Sequence, residues 1–197
     1  TRRMDGEISE DEVVRALVAR GGEAVHVTSH SGNVQRLAGV IDEVTMHRLD
    51  LAEASQVTAL VEAVRPRAIY HLGAVLSGPS EADPQTSVET NAFGTYALLE
   101  AARTCGVEQV LFASSVGVFI GEELPDGPIA DDTLQRPDLI YGVTKVFGEL
   151  LGRFYRRKYG IDFRGLRYPA IVGPGVTTWS LAQCTSWVIE TPARGEP

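Results

Sequence analysis

The sequence predicts an α/β fold in which helices cover both faces of a doubly wound parallel sheet. Three observations lead to this prediction. Short apolar runs typical of strands alternate with segments of helical periodicity along most of the chain. The 197 residues are 44% hydrophobic, which is enough to bury a full core. No repeat, low-complexity tract or linker divides the sequence, so one main domain is expected.

The first half of the chain supplies three predicted strands and two predicted helices. Apolar residues recur at helical spacing in the first helix, and Gly21 and Gly22 then end it. The strands are assigned from alternating or continuous apolar runs. In chain order, these elements are a helix at Glu10–Arg20, strands at 23–28 and 44–49, a helix at Ala54–Val64 and a strand at 68–72.

The second half continues the alternation. Gly106 and Gly160 follow two long helical patterns and are expected to end them. In chain order, the predicted elements are a helix at 86–103, a strand at 109–113, a helix at 138–159, a strand at 163–168 and a helix at 179–189. Ligands of such sheets bind at the carboxyl ends of the strands, so the residues that follow each strand are the first candidates for a site.

Charge and composition narrow the classes of function. The net charge of −8 argues against binding to nucleic acid or to an anionic membrane surface. No apolar run approaches the roughly 20 residues that a membrane-spanning helix needs. Cys105 and Cys184 lack metal-ligand spacing and are interpreted as reduced thiols of a cytoplasmic protein, and the four scattered histidines suggest no metal site.

Tyr141 and Lys145 are the strongest candidates for chemistry. Their spacing of four at the start of a helix puts both side chains on one face. A neighbouring ammonium is expected to lower the pKa of the phenol from about 10, which would suit Tyr141 to take a proton from an alcohol. The alternative is an ordinary pair of exposed helix neighbours.

Other candidates lie at strand ends and in one helix. Ser115 follows the strand at 109–113 and could stabilise charge on a substrate oxygen, although a serine-rich turn is the alternative. Gly73 and Ala74 would let the backbone approach a flat cofactor closely. Asn91 is expected inside a helix behind this site, where its amide could bridge backbone and water.

Taken in order, these motifs resemble those of the extended short-chain dehydrogenase/reductase family, also called the NAD-dependent epimerase/dehydratase family. The likeness extends from about Glu12 to about Gly175. The segments that carry it are Asp50-Leu51, His71-Leu72-Gly73-Ala74, Asn91, Gly94-Thr95, Ser114-Ser115, Tyr141 to Lys145, and Arg167-Tyr168-Pro169. The resemblance implies a Rossmann-like domain at 1–175 and the start of a shortened substrate-binding region at 176–197.

The resemblance also implies roles for individual residues. Ser115 and Tyr141 would polarise and deprotonate the substrate hydroxyl, while Lys145 would hold the nicotinamide ribose and tune Tyr141. The implied cofactor-binding residues are Asp50, Leu51, Leu72, Gly73, Ala74, Asn91, Ala113, Tyr141, Lys145, Tyr168, Pro169 and Ile171. The implied substrate-binding residues are Ser77, Ser115, Val116, Tyr141 and Thr178. The helix that carries Tyr141 usually packs against its counterpart in this family, so a homodimer is expected.

The motifs favour one branch of the family. The loop at 76–84 is similar to that of L-threonine dehydrogenases and of sugar-acid dehydrogenases that act on erythronate. Sugar-nucleotide epimerases usually carry Asn where this chain has Ala170. The favoured function is therefore oxidation of a secondary alcohol in a small hydroxy or amino acid. A nucleotide-sugar epimerase or dehydratase is the alternative.

Two departures from the family pattern bear on the cofactor. Neither a hydrophobic first strand nor the expected glycine-rich phosphate turn is visible in the acidic segment 1–9, which makes a non-catalytic fragment or relative that lacks the phosphate loop a further alternative. Thr28 and the residues after it replace the acidic residue expected to bind the adenosine ribose. NADP, with Arg36 as a possible partner, is thus admissible beside the favoured NAD.

Overall fold

Helices and strands alternate along the chain, which confirms the predicted α/β class. A computed structural model describes residues 10–33, 37–121 and 127–169. Several predictions concern positions outside these ranges. They are the first-strand segment 1–9, Arg36, Ala170, Ile171, Thr178, the helix at 179–189, Cys184 and the region 176–197.

The first half of the chain folds as the periodicity predicts. Both helices have the predicted bounds, and the strand bounds differ from the predicted ones by one or two residues. The elements are α1 (Glu10–Arg20), β1 (Val25–Ser29), β2 (Val44–Arg48), α2 (Ala54–Val64) and β3 (Ala68–His71). Val57 and Val61, one helical turn apart, form the buried side of α2. This spacing explains why the pattern located the helix.

The second half contains the elements that shape the site. They are α3 (Ser77–Ala82), α4 (Pro84–Ser87), a π-helical turn (Val88–Phe93), α5 (Gly94–Cys105), β4 (Gln109–Ser115), a 3-10 turn (Val116–Phe119), α6 (Ile140–Tyr159) and β5 (Asp162–Tyr168). Strand β4 extends two residues beyond its predicted end and thus includes Ser115.

The helix predicted at 86–103 begins earlier, and a short helix precedes it. The side chain of Asp83 accepts a hydrogen bond of 3.1 Å from the backbone N–H of Thr86, and Pro84 occupies the first turn. An acidic cap followed by proline is a recognisable helix start. Helix α3 was predicted as a loop because its Gly78 and Pro79 disfavour a helix in isolation.

The strands form two parallel ladders among the described residues. One pairs β1 with β2, and the other has the order β3-β4-β5. Ser115 pairs with Tyr168 at the end of the second ladder. Because all strands of a parallel ladder end at the same edge, the segments after β3, β4 and β5 meet there.

Close packing of α6 on β4 and β5 depends on two glycines. A Cβ atom at Gly148 would lie 2.5 Å from the Phe112 ring, and one at Gly152 would overlap the Phe163 ring. Both rings belong to the main buried cluster, to which α2 and α5 also contribute. The helix that begins next to Tyr141 is therefore seated directly on the strand that ends at Ser115.

No helix within the described residues is long and apolar enough to cross a membrane. Cys105 is a partly buried free thiol. The cytoplasmic location stays a prediction.

Candidate active site

Ser115 and Tyr141 meet where β4 ends and α6 begins. The Ser115 hydroxyl accepts a hydrogen bond of 3.0 Å from the Gly117 N–H and also interacts with the Tyr141 side chain. A Cβ atom at Gly117 would lie 3.2 Å from Ser115 Oγ and 3.6 Å from Tyr141 Cδ1. The 3-10 turn thus packs closely on both residues. Val116, in the same turn, is 38% exposed and lies at the rim of this group.

The pKa of Tyr141 is raised, opposite to the predicted direction. Burial raises it, and the hydrogen bond with Ser115 only partly opposes this effect. Burial disfavours a phenolate because an anion loses more hydration than a neutral phenol does. The prediction that Lys145 would lower this pKa is therefore wrong for the protein without ligands.

Lys145 is buried beneath the tyrosine. Its ammonium donates a hydrogen bond of 2.7 Å to the Ala113 carbonyl, and it is 4% exposed. Nζ lies 5.4 Å from the centre of the Tyr141 ring and 5.0 Å from that of Phe112. Lys145, Ala113, Ser115 and Tyr141 are thus brought together as the sequence predicts, with the ammonium held against the end of β4.

Asn91 lies in the π-helical turn and clamps the segment after β3. Its side-chain oxygen accepts a 2.8 Å hydrogen bond from the Val75 N–H, and its amide donates one of 2.9 Å to the Val75 carbonyl. The amide also lies 3.3 Å from both Ser87 Oγ and Thr144 Oγ1. Thr144 in turn donates to the Tyr141 carbonyl at 2.8 Å. The amide therefore connects the loop after β3, through Thr144, to the helix that carries Tyr141.

The residues after β2 and β3 form a second part of the candidate site. An added Cβ at the exposed Gly73 would lie 3.0 Å from Leu51 Cδ1, so the segments that follow these two strands approach each other closely. Leu72 and Ala74 flank Gly73 and are partly buried. Asp50 accepts a hydrogen bond of 3.0 Å from the Ala52 N–H, and its other oxygen lies 3.6 Å from His30 Nε2.

The remaining predicted residues divide into two groups. Ser77 opens α3, which packs against α6. Tyr168 is the last residue of β5 and pairs with Ser115, and Pro169 follows it. These positions are compatible with roles at the same sheet edge. The contributions of Ile171 and Thr178 stay predictions, because both lie outside the described residues.

His71 was not selected from the sequence, although it ends β3 directly below the site. It is buried, and its Nε2 lies 2.8 Å from Thr95 Oγ1, which itself donates to the Asn91 carbonyl at 2.6 Å. Because the threonine proton is used there, His71 Nε2 carries the proton and donates to Thr95. Burial, followed by the positive charge of Lys145, lowers the pKa of His71 from 6.5 to about 3. A neutral imidazole therefore lies close to the lysine ammonium.

The low pKa of His71 predicts a specific acid sensitivity. Between about pH 3 and pH 6.5 the unfolded chain binds a proton at this imidazole that the folded chain does not, so stability falls as pH is lowered. We expect the wild type to lose about 1.4 kcal/mol more unfolding free energy per pH unit than His71→Gln in this window. Urea unfolding between pH 4 and pH 6 measures the difference. Equal slopes for wild type and His71→Gln would contradict the assignment.

The histidines are less scattered in space than in sequence. His26 Nδ1 and His47 Nε2 lie 2.9 Å apart on neighbouring strands, with nearly parallel rings. Within the described residues, no group of three or more His, Cys, Asp or Glu side chains could hold a metal ion.

Comparison with known proteins gives a consistent result. A family model described as the NAD dependent epimerase/dehydratase family matches residues 11–197. The D-erythronate dehydrogenase of Cupriavidus necator is 35% identical, over 93% of this chain and 59% of its own. The chain spans about half the length of the curated relatives it matches.

Solved structures show the same relationship. The UDP-glucose 4-epimerase of Thermus thermophilus in complex with NAD has a TM-score of 0.81 at 30% identity, over 95% of this chain and 60% of its own. The holo form of a GalE-like L-threonine dehydrogenase from Cupriavidus necator has a TM-score of 0.83 at 26% identity, over 98% and 61%. These similarities support the predicted Rossmann-like arrangement.

Proposed function

The chain belongs to the NAD-dependent epimerase/dehydratase family. We therefore propose that it acts as an oxidoreductase, which oxidises a secondary alcohol of a small hydroxy or amino acid. The family resemblance seen in the sequence is thereby confirmed, and the family's cofactor is NAD, as predicted. The observation that carries the proposal is the meeting of Ser115, Tyr141 and Lys145 at the carboxyl edge of β4. The proposed domain limits are 1–175 for the dinucleotide-binding domain and 176–197 for the start of a substrate-binding region.

Each residue of this group has a distinct proposed role. In alcohol oxidation, the ionised Tyr141 accepts the hydroxyl proton while Ser115 donates a hydrogen bond to the substrate oxygen. Lys145 would hold the nicotinamide ribose of the cofactor, and its charge would favour the phenolate of Tyr141. Since burial keeps Tyr141 protonated in the free protein, the resting state is ready to protonate a carbonyl in the reverse reaction. NAD, when bound, supplies the hydride acceptor.

The residues after β2 and β3 suit the other half of the cofactor. Leu51 and the exposed Gly73 offer a flat apolar surface beside the Asp50 carboxylate, which suits an adenine base and its ribose. Ala74 and Leu72 continue this surface. We propose NAD over NADP because the family is NAD-dependent and because Asp50 would repel an added phosphate near the adenosine ribose.

The substrate class is proposed from the branch of the family. The matches to D-erythronate and L-threonine dehydrogenases favour a small acid whose hydroxyl reaches Ser115 and Tyr141, with Ser77 and Val116 at the rim. The similarity to a UDP-glucose 4-epimerase supports a sugar nucleotide as the second candidate. NADH formation, followed by absorbance with L-threonine, D-erythronate and UDP-glucose, distinguishes them. An epimerase returns the hydride and accumulates no NADH, so epimerised sugar without NADH would support the second candidate and contradict the first.

An apolar face on α5 and α6 supports the predicted homodimer. Val143, Phe147, Leu150 and Phe154 are exposed at spacings of four, three and four residues, and therefore lie on one stripe of α6. Phe93 and Tyr96 are exposed on the neighbouring helical segment. Apolar stripes of this kind usually mark a protein contact, and we propose that a second copy of this chain covers it.

Sedimentation velocity tests the dimer directly. Leu150→Glu places a charge in the middle of the stripe, and it should convert the dimer present at micromolar concentration into a monomer. The fold of this monomer should lose no thermal stability. Ile129→Glu, at an exposed isoleucine outside both helices, is the matched control and should stay dimeric. A wild type that sediments as a monomer would refute the proposal.

A further inference from the structure

Among the described residues, Glu149 is the only Asp or Glu with a buried side chain, and Ser114, Gln135 and Arg167 all hydrogen-bond to it. It lies on α6, four residues after Lys145 and eight after Tyr141, and hence on the same side of the helix. Ser114 Oγ donates a short hydrogen bond to its Oε1, and Gln135 donates one of 2.8 Å to its Oε2. The carboxylate is thus attached to β4 and to the segment that precedes α6.

Arg167 completes this arrangement. Its guanidinium bonds both carboxylate oxygens of Glu149, with Nη2 at 2.7 Å from Oε2 and Nε at 3.0 Å from Oε1. Nη1 donates to the Asp131 carbonyl at 3.0 Å, and the guanidinium stacks on the Phe119 ring at 4.9 Å. Phe119 closes the 3-10 turn after Ser115, and Asp131 belongs to the segment before α6. The planar fork therefore fixes several segments at once, which a point charge could not do.

Two members of this network are adjacent in sequence to predicted site residues. Ser114 precedes Ser115, and Arg167 precedes Tyr168, with Ser114 and Arg167 directly paired between β4 and β5. None of the Glu149 contacts reaches the Tyr141 hydroxyl, so this carboxylate cannot exchange a proton with substrate there. Its effect on chemistry must pass through the position of other groups.

We infer that Glu149 is a positioning residue: its carboxylate holds the ends of β4 and β5 and the segment before α6 so that Ser115 stays aligned with Tyr141. This inference rests on the proposed function, because alignment matters only if the two side chains act on one substrate. A displacement of about 1 Å between groups that act together can lower a rate about 100-fold. The carboxylate needs its charge for this role, since a glutamine in its place would present an amide donor to the donors of Arg167 or Gln135.

The first test needs no turnover. The Gly117 N–H donates to Ser115 Oγ and so reports the position of that hydroxyl. In Glu149→Gln we expect this amide to exchange with deuterium about tenfold faster, while the Ser80 N–H, bonded to the Leu76 carbonyl in α3, keeps its rate. Glu100→Gln removes a carboxylate whose partners, Arg103 and Tyr155, are not partners of Glu149, and it is the matched control. It should lower stability without changing the exchange of Gly117.

The second test measures turnover in the same variants. Glu149→Gln should lower kcat about 10- to 100-fold and leave KM for NAD within a factor of about two. Ser114→Ala is the second variant, for use if Glu149→Gln does not fold. It breaks only the hydrogen bond between Glu149 and β4, preserves the pair with Arg167, and should show the same pattern with smaller changes. Unchanged Gly117 exchange in a folded Glu149→Gln or Ser114→Ala protein would overturn the inference. A wild type without turnover would instead refute the proposed function. The deuterium-exchange measurement does not depend on turnover, so the two failures can be told apart.

Discussion

Replacing Tyr141 by Phe should lower the rate of alcohol oxidation by about 100- to 10,000-fold, the usual worth of a positioned acid–base group. Phe keeps the ring that packs against Gly117 and removes only the hydroxyl that interacts with Ser115. The affinity for NAD should change little. Lys145, the proposed ribose ligand, stays in place because it keeps its hydrogen bond to the Ala113 carbonyl. Steady-state kinetics with the best substrate, together with a fluorescence titration of NADH, separate the two effects.

Tyr159→Phe is the matched control for this prediction. Tyr159 ends the same helix, is 40% exposed and lies far along the chain from Ser115. It should keep wild-type turnover. If Tyr141→Phe retained more than about a tenth of wild-type kcat, Tyr141 would not be the proton acceptor.

Gly142→Ala should destabilise the fold by about 3 kcal/mol or more, the upper range for overpacking of a core. A Cβ atom here would lie 2.5 Å from the Gly117 carbonyl oxygen and 2.6 Å from Pro137 Cβ. A backbone carbonyl cannot rotate aside as a flexible side chain can, so the start of α6 must move away from the 3-10 turn. That movement would also separate Tyr141 from Ser115, and turnover should fall with stability.

Gly165→Ala provides the matched control for Gly142→Ala. An added Cβ at Gly165 would meet its nearest neighbours at 3.8 and 3.9 Å, which is ordinary van der Waals contact. Its unfolding free energy in urea should stay within about 0.5 kcal/mol of the wild type. Equal stability of the two variants would show that the contact between α6 and the 3-10 turn is looser than the structure has it.

The parts of the fold that local patterns determine could be predicted from the sequence. The periodicity of α1 and α2 gave their bounds because each has a clear polar side, and Gly21 ends the first. Helix α3 could not be predicted in this way, since tertiary contacts hold it. Its Ser80 is fully buried and donates a hydrogen bond to the Val75 carbonyl. Asn91, in the π-helical turn, donates a hydrogen bond to the same carbonyl.

The candidate site divides in the same way. The spacing of Tyr141 and Lys145 and the position of Ser115 at a strand end were sufficient to predict that they meet. The pKa of Tyr141 was predicted in the wrong direction because a sequence shows the neighbouring charge and not the burial that outweighs it. Glu149 and His71 were missed because their partners lie 18 and 24 residues away, at Arg167 and Thr95.

A calorimetric titration of the chain with NAD, repeated with NADP, tests the central claim most directly. The account predicts micromolar binding of NAD, weaker binding of NADP, and loss of NAD affinity in Lys145→Met, with affinity preserved in Tyr141→Phe. Absence of binding to either nucleotide would contradict it. The chain would then be a non-catalytic relative that retains the fold, and the meeting of Ser115, Tyr141 and Lys145 would have no role in hydride transfer.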